Sequence, residues 1–190
     1  MLPLIVAGQE KRIQSDYYVE GLATTFDNPY LLYEYDGVKY YETIAREALV
    51  GADMSDVIMQ YDHQGNVLAR LSNNTLGVEP RTDGLFVFAD LSKSEAARNL
   101  FEEIANGLVT KMSWAFTVAE DAYNQDTRTR TIQKIKKVYD VSAVSMPANS
   151  GTEISARSFI DGVIEREQQE LLERERSLAL AKAKYFYTGG

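Results

Sequence analysis

The chain has 190 residues, of which 45% are hydrophobic and 25% are charged, a balance typical of a globular protein with one core. It contains no cysteine, which excludes disulfide bonds, thiolate metal sites and a cysteine nucleophile. A single histidine, His63, excludes a zinc site built from several histidines, and the net charge of −8 argues against nucleic acid as the main partner.

The N-terminal half is predicted to be mostly β-structure. Its first apolar run is short and has no basic residues ahead of it, so we expect neither a signal peptide nor a membrane span. Runs rich in Tyr, Val and Thr predict strands, with a tyrosine-rich loop after the first and a polar loop, DHQGN, carrying His63 after the third. The predicted strands span residues 17–26, 38–44, 56–61, 67–71 and 75–79. Asp83-Gly84 predicts a hairpin turn into the strand LFVFADL, because both residues tolerate positive φ.

One helix and three strands are predicted to follow. Ser92 and Glu95 fit a capping box, an apolar stripe from Ala97 to Leu108 has helical spacing, and Asn106-Gly107 predicts the helix end. In the next strand, TKMSWAFTV, alternation puts Met112, Trp114 and Phe116 on one face and Ser113 on the other. Residues 128–139 and 141–146 read as two further strands.

The C-terminal segment has a different pattern. Ile164, Leu171, Leu178 and Tyr185 recur every seven residues among charged positions, and Leu172, Ala179 and Phe186 lie beside them. So narrow a stripe predicts a helix that docks on a partner or pairs with a copy of itself. We therefore expect a domain over residues 1–158 and a charged helical extension over residues 159–190.

His63 and Ser113 are the candidate catalytic pair. A serine hydroxyl becomes a good nucleophile when a positioned base takes its proton, and a neutral imidazole suits that task. His63 follows an apolar strand, and Ser113 is a small polar residue among bulky apolar ones. The alternative is that His63 is a loop histidine and Ser113 belongs to the solvent face of an amphipathic strand.

The run from Gln60 to Phe116 carries a resemblance to a known family. DHQGNVLARL, TLGV, DGLFVFADL, EEIANG and MSWAF occur in the order found in caudovirus prohead proteases. GLATTFDN and YYETIAREAL upstream and KVYDVSAVSMPAN downstream also resemble family segments, so the similarity covers about residues 18–155. The chain departs from the family pattern at residues 46–49, Ala69 and Ala115, none of which is the nucleophile or the base.

The resemblance implies roles for three residues. Ser113 takes the position of the nucleophile, His63 that of the base, and Asp140 that of the acid that opens the next family strand, where Glu is usual. A carboxylate would hold the imidazole tautomer. The alternative is that Asp140 is an exposed acid at a strand start; Asp62 is a poorer candidate, because an extended segment would point it away from the side of His63. The oxyanion hole is left open between backbone N–H groups near Ser113 and a loop after the PAN segment.

The fold and function implied by the resemblance are also specific. The fold expected is mainly β with helices (α+β), an assemblin-like β-barrel with an internal helix and a C-terminal helical extension. The function expected is that of a serine endopeptidase that cleaves capsid or scaffold protein, and itself, inside the procapsid in the host cytoplasm. No metal, cofactor, nucleic acid or membrane is expected. The alternative is an inactive scaffold or capsid-assembly protein of the same fold; a carbohydrate hydrolase with paired acids ranks far below both.

Two further sets of polar residues have no catalytic role in this interpretation. Ser142 and Ser145 are predicted to be hydrogen-bonded strand residues. The tyrosines are predicted to cover a sheet rather than line a substrate groove. They are Tyr30, Tyr33, Tyr35, Tyr40 and Tyr41.

Overall fold

A computed structural model describes residues 4–6, 11–145, 169–170 and 172–178. Within the first two ranges the chain forms ten strands, one α-helix and one short 3-10 turn. In chain order they are β1 (Leu4–Val6), β2 (Tyr18–Thr25), β3 (Tyr30–Tyr35), β4 (Val38–Ile44), β5 (Ile58–Tyr61), β6 (Gln64–Arg70), the 3-10 turn (Leu71–Asn73), β7 (Leu76–Pro80), β8 (Gly84–Asp90), α1 (Glu95–Ala105), β9 (Lys111–Asn124) and β10 (Thr129–Val144).

The chain divides into two units, residues 1–153 and residues 154–190. In the second unit, residues 169–170 and 172–178 are helical, as the heptad pattern predicts, and their side chains are exposed. Leu172 and Leu178 are 65% and 56% exposed. The remaining members of the predicted stripe lie outside the described residues.

The strands of the first unit form two sheets. One is antiparallel with the order β1-β2-β8-β7. The other has the order β3-β4-β10-β5-β6, and β9 pairs with β10 as well. The mainly β, α+β class is therefore confirmed. The predicted β-barrel is not, because the hydrogen-bonded pairings among the described strands end at sheet edges and do not close into a ring.

One hydrophobic core joins both sheets and the helix. It includes Val87 from the first sheet, Met59 and Val141 from the second, and Leu100 from α1. Burying a side chain of this size contributes about 1.5–3 kcal/mol relative to leaving it in water. On β9, Met112, Trp114 and Phe116 are 0%, 5% and 8% exposed. Their predicted shared face is therefore the one that enters the core.

Two predicted loops are hairpins instead. The tyrosine-rich segment forms β3, antiparallel to β4, and Asp36 and Gly37 make the turn with φ of 48° and 76°. Tyrosine favours strands and Asp-Gly is a strong hairpin signal, so the hairpin could have been predicted from the sequence. The polar segment after β5 is also a turn, since β6 begins at Gln64 directly after His63.

The predicted hairpin between β7 and β8 is confirmed, but its stated reason is wrong. Neither Asp83 nor Gly84 has positive φ. Glycine is needed at position 84 because a Cβ there would lie 2.0 Å from the backbone oxygen of Thr24. The constraint is thus the close approach of β2.

The helix is present, but its predicted cap and last apolar position are wrong. Ser94 caps α1 by accepting a hydrogen bond from the Ala97 amide at 3.1 Å. The Ser92 hydroxyl instead donates to Asp90 at 3.0 Å. Leu108 lies beyond the helix end and is 73% exposed. The helix therefore starts two residues later than a capping box at Ser92 would require.

Candidate active site

The last strand, β10, organises the candidate site. Where two strands were predicted, the chain forms one continuous strand with several register shifts against β9. One shift lies between Val138, which pairs with Phe116, and Asp140, which pairs with Ala115, so Tyr139 is an extra residue. Such a bulge reverses the alternation of faces beyond it. Asp140 therefore leaves the face of Val138, and Val141 takes its place in the core.

His63 lies in the turn between β5 and β6. Asp62 and His63 both have positive φ, 48° and 58°, as a two-residue hairpin turn requires. The β5 strand runs parallel to β10, with Ile58 opposite Asp140. This pairing places the turn next to the C-terminal end of β10. The His63 side chain is 9% exposed. It is therefore enclosed, although it stands in a turn between two strands.

The imidazole contacts the carboxylate of Asp140. His63 Nδ1 lies 2.6 Å from Asp140 Oδ1. Because a carboxylate only accepts hydrogen bonds, this contact requires the proton on Nδ1. The other ring nitrogen, Nε2, is buried and has no hydrogen-bond partner among the described residues. In the neutral ring this leaves the Nε2 lone pair able to accept a proton.

Asp62 fastens the turn to the end of β10. Its amide donates to the Ala143 carbonyl at 2.9 Å. Its carboxylate accepts from the Ser145 amide at 3.0 Å and from the Ser145 hydroxyl at 2.8 Å. Asp62 therefore binds the backbone beside the site, whereas Asp140 binds the ring. The expected reason for setting Asp62 aside was wrong, since the segment is a tight turn and not extended.

Asp140 is a buried acid rather than an exposed one at a strand start. It is 7% exposed, and it lies within β10. Besides His63, its Oδ1 accepts a hydrogen bond from the Ser142 hydroxyl at 2.7 Å. The two donors converge on one oxygen. This geometry contradicts the alternative interpretation of Asp140 as a solvated strand-start residue.

Ser113 lies across the strand pair from Ser142. The β9–β10 register places these two residues directly opposite each other. Opposite residues of an antiparallel pair share a face, with Cβ atoms roughly 4.5–5.5 Å apart. Asp140 and Ser142 share that face as well, because they are two residues apart beyond the bulge. Ser113 is 3% exposed, so the solvent-face interpretation of this serine is wrong.

A second polar cluster occupies the opposite end of β10. Arg130 donates to Glu42 at 3.2 Å and to Asp121 at 3.0 Å, and the Tyr30 hydroxyl donates to Glu42. Burial raises the pKa of the Glu42 carboxyl, and burial together with the Glu42 charge raises the pKa of Tyr30. Arg130 and Asp140 are separated by roughly 30 Å of strand at about 3.3 Å per residue. That distance favours the interpretation that the tyrosines of β3 and β4 cover a sheet.

Sequence reasoning missed Ser142 as part of the site. The signal was present, since Asp140 and Ser142 are two residues apart on one strand and therefore share a face. Other kinds of site find no support in the described part of the chain. No group of three or more His, Asp or Glu side chains there could hold a metal ion. No helix there is long and apolar enough to cross a membrane.

Comparison with known proteins identifies the family. The model of the caudovirus prohead serine protease family matches residues 6–165. No curated protein and no solved structure shows a significant match to the chain. Because the matched segment covers most of the sequence, the chain belongs to the caudovirus prohead serine protease family. It is thus a phage protease of the capsid-maturation class.

Proposed function

We propose that the chain is a serine endopeptidase in which Ser113 is the nucleophile, His63 the general base and Asp140 the residue that orients the base. The observation that carries the proposal is the hydrogen bond from His63 Nδ1 to Asp140 Oδ1, 2.6 Å long and formed by the only histidine in the chain. Ser113 supports it, because this serine shares a buried sheet face with Asp140 and Ser142.

The reaction follows from the tautomer. With its proton on Nδ1, His63 offers the Nε2 lone pair, which takes the Ser113 proton as Oγ attacks the scissile carbonyl. Asp140 stabilises the imidazolium that forms. The imidazolium then protonates the leaving amine, the C–N bond breaks, and an acyl-enzyme remains on Ser113. A water molecule, deprotonated by His63, attacks the ester; the acid product leaves and Ser113 regains its proton.

The substrates we infer are the capsid or scaffold protein assembled with this protease, and the protease chain itself. This inference rests on family membership, which also implies that the reaction takes place inside the assembling procapsid in the host cell.

We also infer that residues 159–190 form an extension to a protease domain of residues 1–158 and pair with a second copy. Sedimentation of the full chain checks the pairing, with Leu178→Asp compared with Ser177→Asp, which adds the same charge at an exposed position outside the stripe.

A serine-reactive phosphonate probe and the cognate capsid protein together test the nucleophile. Wild type should form one phosphonylated peptide containing Ser113 and should cleave the capsid protein at defined bonds, both read by mass spectrometry. Ser113→Ala should lose both signals and remain folded, since the change removes one oxygen from a strand that does not have to repack. Ser55→Ala is the matched control, because the Ser55 hydroxyl donates a hydrogen bond to an exposed aspartate, Asp53, outside the candidate site.

Retained cleavage by Ser113→Ala would contradict the proposal. If folded wild-type protein neither reacts with the probe nor cleaves capsid protein, a non-enzymatic role in capsid assembly replaces it.

A further inference from the structure

We propose that Ser142 is a positioning residue for the reaction, acting through Asp140. The inference rests on the proposed function of His63 and Asp140 and adds a residue that the three-residue site does not include. Its basis is the hydrogen bond of 2.7 Å from the Ser142 hydroxyl to Asp140 Oδ1, the same oxygen that lies 2.6 Å from His63 Nδ1.

The first argument is burial. Ser142 is 0% exposed and Asp140 is 7% exposed, so water has little access to this carboxylate. A buried carboxylate needs hydrogen-bond donors or a cation to offset its lost hydration. Before the proton is transferred His63 is neutral, and Ser142 then provides a donor whose contribution does not depend on the charge of the ring. The serine thus stabilises the carboxylate in the resting state.

The second argument is orientation. An aspartate side chain can rotate about two bonds, so one contact to His63 does not by itself fix the orientation of the carboxylate. Ser142 stands two residues along the same strand and beside the same face, and its hydroxyl holds Oδ1 at the position from which Nδ1 is reached. Charge-assisted hydrogen bonds of this kind are about twice as strong as neutral ones.

The experiment compares Ser142→Ala with Ser92→Ala in the full chain. Ser92 also donates to an aspartate, Asp90, at 3.0 Å but stands outside the candidate site. For Ser142→Ala we expect kcat to fall about ten- to hundredfold, the factor for losing one hydrogen bond to a charged group, with KM unchanged. Ser92→Ala should keep wild-type kcat. Equal losses in the two variants would overturn the proposal.

A readout independent of activity comes from the single histidine. Because His63 is the only imidazole, the NMR signal of its Nδ1 proton has no overlap from another ring. In Ser142→Ala that signal should shift and broaden, because the carboxylate that accepts the Nδ1 hydrogen bond is no longer held by Ser142, and in Ser92→Ala it should stay. Ser142→Cys, which keeps a weak donor of similar shape, should fall between wild type and Ser142→Ala and serves if Ser142→Ala does not fold.

A double-mutant cycle tests whether Ser142 acts through Asp140. In an Asp140→Ala background the acceptor is gone, so adding Ser142→Ala should cause little further loss of kcat. Additive losses would overturn the positioning role. If instead Ser113→Ala keeps full activity, the proposed function fails, and the NMR signal of the Nδ1 proton still decides whether Ser142 controls the His63–Asp140 contact.

Discussion

Replacing Asp140 by asparagine separates charge from geometry in this site. Both hydrogen bonds to the carboxylate converge on Oδ1, from His63 at 2.6 Å and from Ser142 at 2.7 Å. The carbonyl oxygen of an asparagine can accept both bonds in the same place, with the amide nitrogen replacing Oδ2. We therefore expect Asp140→Asn to keep the tautomer with the proton on Nδ1. What it loses is the negative charge beside the imidazolium.

The loss of charge sets the size of the effect. Two unit charges about 4 Å apart interact by about 4 kcal/mol at an effective dielectric constant of about 20. The two side chains are 9% and 10% exposed, so solvent screening reduces this value only modestly. Since about 1.4 kcal/mol corresponds to a tenfold change in rate, kcat should fall about a thousandfold. That is a smaller loss than the roughly millionfold change expected for removing a nucleophile or base.

Two measurements check this reasoning. Steady-state kinetics on a capsid-derived peptide should show the fall in kcat with KM unchanged. Nitrogen-15 NMR of the single histidine should show the same neutral tautomer in Asp140→Asn as in wild type. Asp90→Asn is the matched control, because Asp90 is also a buried acid that accepts serine hydroxyls but has no histidine beside it.

Near-wild-type turnover of Asp140→Asn would refute the orienting role of Asp140. A strong loss accompanied by a change to the Nε2–H tautomer would refute the argument from Oδ1, since it would mean that the amide nitrogen faces the ring.

The remaining predictions concern the base, the turn and acid stability. His63→Ala should reduce turnover as much as Ser113→Ala in steady-state kinetics, and the double variant should be hardly worse, because the two residues act as a unit. Additive losses in the double variant would contradict a shared role. Asp62→Ala should lower turnover about tenfold, because it removes the hydrogen bonds to Ser145 and puts alanine at a position with φ of 48°. Asp62→Asn should stay close to wild type in the same kinetic assay, because asparagine tolerates that φ. Burial acts to raise the pKa of Asp90, but hydrogen bonds from Ser15, Ser92 and Lys93 outweigh it and hold the pKa below its ordinary value of 3.8. The resulting stabilisation of the folded state is present above pH 3.8 and is lost as the pH falls through the folded-state pKa. Asp90→Asn should therefore lower the urea midpoint at pH 7, and the midpoint of this variant should decline less steeply than that of wild type below about pH 4.

Much of the fold could be predicted from local pattern, and the errors have identifiable causes. Regular alternation in MSWAF correctly predicted which side chains of β9 enter the core. The tyrosine-rich strand β3 was read as a loop because an Asp and a Pro precede it, although Asp36-Gly37 marks its hairpin. The helix cap was assigned to Ser92 since two serines compete for the role, and sequence spacing does not show that Ser92 is engaged by Asp90.

The long strand β10 shows where pattern reading fails. Its core residues Ile132, Ile135, Val138 and Val141 are spaced by three, which fits neither a regular strand nor a full helical stripe. The register against β9 explains the spacing, because Gln133, Lys136 and Tyr139 have no opposite partner. The alternation rule assumes one residue per pleat, so it cannot detect extra residues. For this reason the sequence pattern predicts two strands, residues 128–139 and 141–146, with Asp140 as the acid that opens the second.

The candidate site depends on the last of these extra residues. In a strand without the bulge at Tyr139, Asp140 would share the face of Val138 and enter the apolar core, where an acid without partners costs several kcal/mol. With the bulge, Asp140 and Ser142 face the same side as Ser113, and the parallel strand β5 brings the His63 turn to that side. His63, Asp140 and Ser142 are in contact, and Ser113 lies opposite Ser142 in the register, so no local motif could show this arrangement. Resemblance to a family could name Ser113, His63 and Asp140 as candidates, because it does not require the strand register to be known. It gave no role to Ser142, whose proposed contribution follows from its hydrogen bond to Asp140 and from its burial. Both depend on the bulge at Tyr139, which puts Asp140 and Ser142 on the face that they share with Ser113.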